Sequence, residues 1–114
     1  MLMRGTVRIA ALMMLAAALL PLTAIAKGDP EAGKAKSTTC QACHGLDGKA
    51  ISPTYPNLAG QYASYMEKAL RDYRDGRRTN VIMAPMAANL TDQDIKDLAA
   101  WYASQDGLKD LSIP

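Results

Sequence analysis

Three observations predict an all-α fold for this 114-residue chain. Apolar residues recur at three-and-four spacing in several stretches, and these stretches begin and end at residues suited to helix termini. No alternating apolar run of strand length occurs beyond residue 26. The expectation is a single domain of three to five helices spanning 27–114, preceded by a leader over 1–26.

The leader is read from Arg4 and Arg8, which precede an apolar stretch over 9–20, followed by Pro21 and the triplet Ala24-Ile25-Ala26. Basic start, apolar centre and small-residue cleavage site together predict a secretory signal cut before Lys27. The alternative is an uncleaved membrane anchor, but crossing a bilayer takes about 20 apolar residues and this stretch is shorter. No other long apolar segment, internal repeat or low-complexity linker follows. A domain of under about 90 residues is marginal on its hydrophobic core alone, so a bound group is expected to complete it.

The first helix is predicted to open at Asp29, whose carboxylate can accept the free N–H groups of a first turn. Pro30 then stands at the position where its missing N–H costs nothing. The helix runs through Ala32, Ala35 and Lys36 towards a cysteine-containing motif. Next comes a stretch rich in turn formers, Gly45, Asp47, Gly48, Pro53, Pro56, Asn57 and Gly60 among them. A loop of that length is tolerable if it wraps the edge of a bound apolar group. The second helix is expected over 61–74, with Tyr62, Tyr65, Met66, Ala69, Leu70 and Tyr73 on one apolar face and Gly76 as its stop. A non-helical connection over 80–86 carries Met83 and Met86. The last helix is expected to start at Thr91, with Asp94 completing a capping box, and to place Ile95, Leu98, Ala99 and Tyr102 on one stripe before Gly107.

Both cysteines of the chain lie in Cys40-Gln41-Ala42-Cys43-His44, a C-x-x-C-H run of the kind that attaches haem c. Each residue type has a chemical reason to be there. The two thiols add across the haem vinyl groups, the two intervening residues match the span between them, and the adjacent imidazole falls beneath the iron. A zinc site would need four ligands, and one histidine with two cysteines supplies three. A redox dithiol would sit near a βαβ pattern, which is absent, and a disulfide across two residues would be strained.

With His44 as the proximal ligand, no second histidine remains for the other side of the iron. Four of the seven methionines lie in the leader, and Met66 falls on the buried stripe of the second helix, which leaves Met83 or Met86. A thioether is soft and neutral and raises the reduction potential relative to a second imidazole. Charge excludes another class of function. Loss of Arg4 and Arg8 with the leader leaves 11 Lys and Arg against 11 Asp and Glu, whereas nucleic-acid binding calls for a basic face. Lys68, Arg71, Arg74, Arg77 and Arg78 cluster at the end of the second helix, and Asp92, Asp94 and Asp97 in the last; both are read as solvated faces, the basic one with a possible role in guiding an acidic partner.

The blocks Gly28-Asp29-Pro30-Glu31-Ala32-Gly33 before Cys40-x-x-Cys43-His44-Gly45, Tyr55-Pro56-Asn57-Leu58-Ala59-Gly60-Gln61, and Met83 followed by 90–95 and 98–102 carry a resemblance over essentially the whole domain. In these the chain resembles the class I c-type cytochromes, of the small bacterial sort also found as one half of di-haem cytochromes c. The resemblance implies one covalently attached haem c wrapped by the helices, with the first and last helices crossing. Cys40 and Cys43 would bear the thioethers and His44 would be the proximal ligand. The Pro56 carbonyl would accept the His44 Nδ1–H, and Met83 rather than Met86 would be the distal ligand. Gly33 would allow close approach in the helix crossing, with Trp101 or Tyr102 filling the contact. The function so implied is one-electron carriage in the periplasm, by a monomer, between redox proteins such as an oxidase, reductase, dehydrogenase or quinol-oxidising complex. Two other readings stay open: an open iron site that serves catalysis or gas binding, and a fixed electron-transfer subunit of a larger dehydrogenase.

Overall fold

In the computed structural model, which describes residues 27–108, five α-helices are joined by loops. Helix α1 (Pro30–Lys36) starts where the sequence places it: Asp29 has extended backbone, and its Oδ1 accepts the N–H groups of Glu31 at 2.9 Å and Ala32 at 3.4 Å. A single 3-10 turn, Ser37–Thr39, carries the chain into α2 (Gln41–His44), which is the motif itself. Helix α3 (Ala63–Arg74) begins two residues later than expected, because Tyr62 is still extended. Helix α5 (Asp92–Ala103) opens with the predicted capping box, Thr91 Oγ1 and Asp94 Oδ2 each accepting the other's backbone N–H at 3.0 Å. The expected leader over 1–26 lies outside the described residues.

The connection over 80–86 departs from expectation. It holds a short helix, α4 (Met83–Ala87), where the sequence predicts none. Asn80 provides the reason, since its Oδ1 accepts the N–H groups of Ile82 and Met83 at 2.9 Å each. Pro85 falls inside the first turn, where a missing N–H costs little. One polar side chain thus outweighs the breaker signal of the proline.

The fold turns on the crossing of α1 and α5. Gly33 is buried there, and a Cβ built on it would stand 1.9 Å from the Asp97 carbonyl oxygen and 2.8 Å from Trp101 Cβ. No other residue allows the helix backbones to approach so closely. Trp101 flanks this contact, with Lys34 Nζ 5.4 Å from its ring. Tyr102 points to the other side of α5, where it packs with Met66 and Ala99.

Asp97 is not part of a solvated face. Only 3% exposed, its Oδ1 accepts the Asp29 backbone N–H and the Gln93 amide at 2.9 Å each, and its Oδ2 binds Lys36 Nζ at 2.6 Å. Lys36 also reaches Asp94 at 2.9 Å. The residue that caps α1 is therefore itself tied to α5. The basic cluster is likewise interleaved with carboxylates, as in Arg71 with Glu67 and Arg74 with Asp92.

The turn-rich loop is held by its own hydrogen bonds. Leu58 and Ala59 donate to the Gly48 carbonyl at 2.7 and 3.1 Å, Ala50 N–H meets Asn57 Oδ1 at 2.8 Å, and Gly60 N–H reaches the Tyr102 carbonyl at 2.9 Å. Gly48 has φ +86°, and a side chain there would strike the Ala59 backbone and the Tyr102 ring.

Two outcomes follow for the holoprotein. Gly33→Ala should lower stability in urea unfolding by about 3 kcal/mol or more, the scale of a forced overpacking, and an unmoved midpoint would refute the close crossing. Burial alone would raise the Asp97 carboxyl, but Lys36, the Asp29 N–H and Gln93 outweigh it and hold the group below its usual 3.8. Its stabilisation is complete above that value and lost as pH falls below it, so Asp97→Asn should flatten the acid limb of the pH–stability curve. An acid limb as steep as the wild type's would remove Asp97 as its source.

Candidate functional site

Helix α2 is a single turn, and the spacing of i, i+3 and i+4 sets Cys40, Cys43 and His44 on one side of it. The turn is closed by His44 N–H to the Cys40 carbonyl at 2.9 Å and ended by Gly45 at φ +78°. The two thiols are unbridged and both half-buried. Burial pushes the Cys40 thiol up, partly offset by Thr39 and Tyr102. The Tyr55 hydroxyl meets Cys43, and that hydrogen bond pushes the tyrosine's own pKa up.

His44 is the most constrained group of the turn. It is 5% exposed, and its Nδ1 lies 2.9 Å from the Pro56 carbonyl oxygen. A carbonyl can only accept, so Nδ1 carries the hydrogen and Nε2 is left with its lone pair for a metal. The Tyr55 ring stands edge-on to the imidazole, centroids 6.5 Å apart. Pro56 reaches this position because the 45–62 loop is folded back on Gly48 by the bonds described above.

His44 and Cys40 open onto a cleft of about 1050 Å³ including its mouth. Its wall is mainly apolar: Leu58 from the loop, Met66 and Leu70 from α3, Met83 and Met86 from α4, Leu98 and Tyr102 from α5. Of the expected site residues, Cys40, His44, Pro56, Met83 and Met86 all line this one space, while Cys43, on the same helical turn, meets the Tyr55 hydroxyl. Met83 is half-buried and Met86 is 42% exposed. Among the described residues there is no group of three or more His, Cys, Asp or Glu side chains that could hold a metal ion.

The donor set fits a haem. It offers two unbridged thiols on one helical turn, an imidazole whose Nε2 is left free by its partner, thioethers in the same cleft, and apolar walls for a flat macrocycle. Sequence reasoning missed the Asn80 cap that orients Met83, and the Asp97 anchor. A signal for the first lay in Asn80 itself, a strong capping residue two and three positions before the amides that it holds.

Residues 30–106 match the family described as Cytochrome c. Among curated relatives, cytochrome c-554(548) of Halomonas halodenitrificans is 51% identical over 82 residues, 69% of this chain and 99% of that protein. Cytochrome c4 of Pseudomonas aeruginosa is 49% identical over 80 residues, 70% of this chain but only 40% of that protein. The crystal structure of reduced recombinant cytochrome c4 from Pseudomonas stutzeri superimposes with a TM-score of 0.67 at 41% identity, covering 71% of this chain and 47% of that one. The chain thus spans nearly all of one relative and under half of the others.

Proposed function

The chain belongs to the cytochrome c family, whose domain carries covalently attached haem c and transfers electrons, and from that membership we propose a monohaem periplasmic carrier with His44 and Met83 as axial ligands. When bound, the haem supplies a one-electron Fe(III)/Fe(II) couple. Cys40 and Cys43 hold it through thioether bonds. The observation that carries the reading is the His44 Nδ1–H donated to Pro56 at 2.9 Å, in a cleft that also receives two methionines. That hydrogen bond orients the ring and raises the basicity of Nε2.

Met83 is the better distal ligand for two reasons. Its backbone is pinned by Asn80, and its side chain is more buried than that of Met86. A ligand on a capped helix keeps its place in both oxidation states, so little rearrangement accompanies electron transfer. The mainly apolar wall limits water at the iron. Exposed Ile51 on the loop after the motif, with Val81 and Ile82 before α4, suits brief apolar docking of a redox protein: an oxidase, reductase, dehydrogenase or quinol-oxidising complex. The periplasmic location rests on the sequence of the leader. No described helix is long and apolar enough to cross a membrane.

The oxidised holoprotein should show a low-spin spectrum with the weak red charge-transfer band of a methionine–iron bond. A high-spin spectrum would mean an open iron and a gas-binding role. Met83→Ala should abolish the band and admit carbon monoxide to the ferrous protein, while Met86→Ala keeps the band. The reverse pattern would make Met86 the ligand.

A further inference from the structure

Two buried side-chain polar atoms among the described residues make no hydrogen bond, Trp101 Nε1 and Tyr102 Oη. Buried polar groups almost always have a partner, so each calls for one. Of the two residues, Tyr102 lines the haem cleft.

Its ring is held in place. Tyr102 is 3% exposed, packs with Met66 and Ala99, and stands so close to Gly48 that a Cβ there would meet its Cδ1 at 2.8 Å. Cys40 packs against the same cluster. Both Cys40 and Ser37 are close enough to shift the ionisation of the hydroxyl, yet its oxygen bonds to neither. Ser37 Oγ is already engaged twice, donating to the Lys34 carbonyl at 2.8 Å and accepting from the Gln41 amide at 3.2 Å. Burial, with Cys40 adding to it, pushes the Tyr102 pKa well above its usual 10, so the group keeps its proton and can donate it.

Cys40 changes character when haem is attached. Its S–H adds across a vinyl C=C, sulfur to the inner carbon and hydrogen to the outer one, which leaves a thioether that accepts hydrogen bonds and donates none. We propose that the Tyr102 hydroxyl donates to the Cys40 thioether sulfur, positioning the attached edge of the haem and raising its reduction potential. The bond turns the positive end of an O–H dipole towards the haem edge in a mainly apolar space, where it favours the electron-rich ferrous state. Cys43 also meets a hydroxyl, that of Tyr55, but Tyr55 is half-exposed and water can satisfy it. Buried Tyr102 has no such alternative.

The assignment rests on the haem-carrier reading, so attachment is checked first by the alkaline pyridine haemochrome spectrum, which tells two thioethers from one. A single thioether with Cys40 still open to alkylation overturns the attachment reading and this proposal with it; with two thioethers, a failure belongs to Tyr102 alone. In NMR spectra of the ferrous holoprotein, a Tyr102 hydroxyl proton in slow exchange with water should show nuclear Overhauser contacts to the Cys40 β-protons. Rapid exchange, or contacts to Ser37 in their place, overturns the bond. By spectroelectrochemistry, Tyr102→Phe, which removes only the hydroxyl, should have a lower midpoint potential than the wild type, while Tyr62→Phe, at an exposed ring, keeps the wild-type value. Equal potentials for Tyr102→Phe and the wild type overturn the proposal. Should Tyr102→Phe fail to retain haem, the hydroxyl proton of the wild type decides.

Discussion

The contact of Gly33 with the Asp97 carbonyl is the constraint on which the rest of this structure depends. It brings a helix near the start of the domain against the last one at backbone distance. Because α2 follows α1 after one tight turn, the crossing sets where Cys40, Cys43 and His44 stand relative to the α5 wall of the cleft. The Asp97 carboxylate reinforces this from within, since it binds the amide of the residue that caps α1 and a lysine at the far end of the same helix. Burying the Asp97 carboxylate costs desolvation, which its contacts offset while Lys36 keeps access to water, and the result is a fixed geometry between two short helices that could not be stable alone.

A second layer of order depends on that first one. The 45–62 loop has few apolar side chains to bury, and is held instead by backbone hydrogen bonds to Gly48 and to the end of α5. Its product is a single carbonyl, that of Pro56, at hydrogen-bonding distance from His44. Much of a long irregular segment thus serves to decide which imidazole nitrogen of His44 is left free. On the other flank, Asn80 does comparable work for Met83 by turning a proline-containing connection into a short helix. Both His44 and Met83 are positioned by polar contacts with backbone, while the space between them is mainly apolar.

The distribution of charge follows the same division. The other arginines of the basic cluster are matched with neighbouring carboxylates, which leaves little net field from them to steer an acidic partner. Arg78 stands exposed at the edge of the cleft, with its guanidinium 4.7 Å from the centre of the Tyr73 ring and no carboxylate partner among the described residues. In sequence the two kinds of arginine are neighbours and cannot be told apart.

Local signals were enough for much of this protein. The Asp29–Pro30 helix start, the Thr91–Asp94 capping box, the three-and-four stripes and the C-x-x-C-H motif each act within about one helical turn, where spacing alone dictates which atoms can meet. The sequence by itself therefore determined the helical class and the C-x-x-C-H motif that marks the haem family. Only the tertiary structure decided that Asp97 is a buried anchor rather than a solvated charge, that the methionine segment is helical, and that Arg78 alone of its cluster faces the cleft. Burial and the choice of charge partner depend on residues far apart in the chain, 68 positions in the case of Asp29 and Asp97, and no local pattern carries that information.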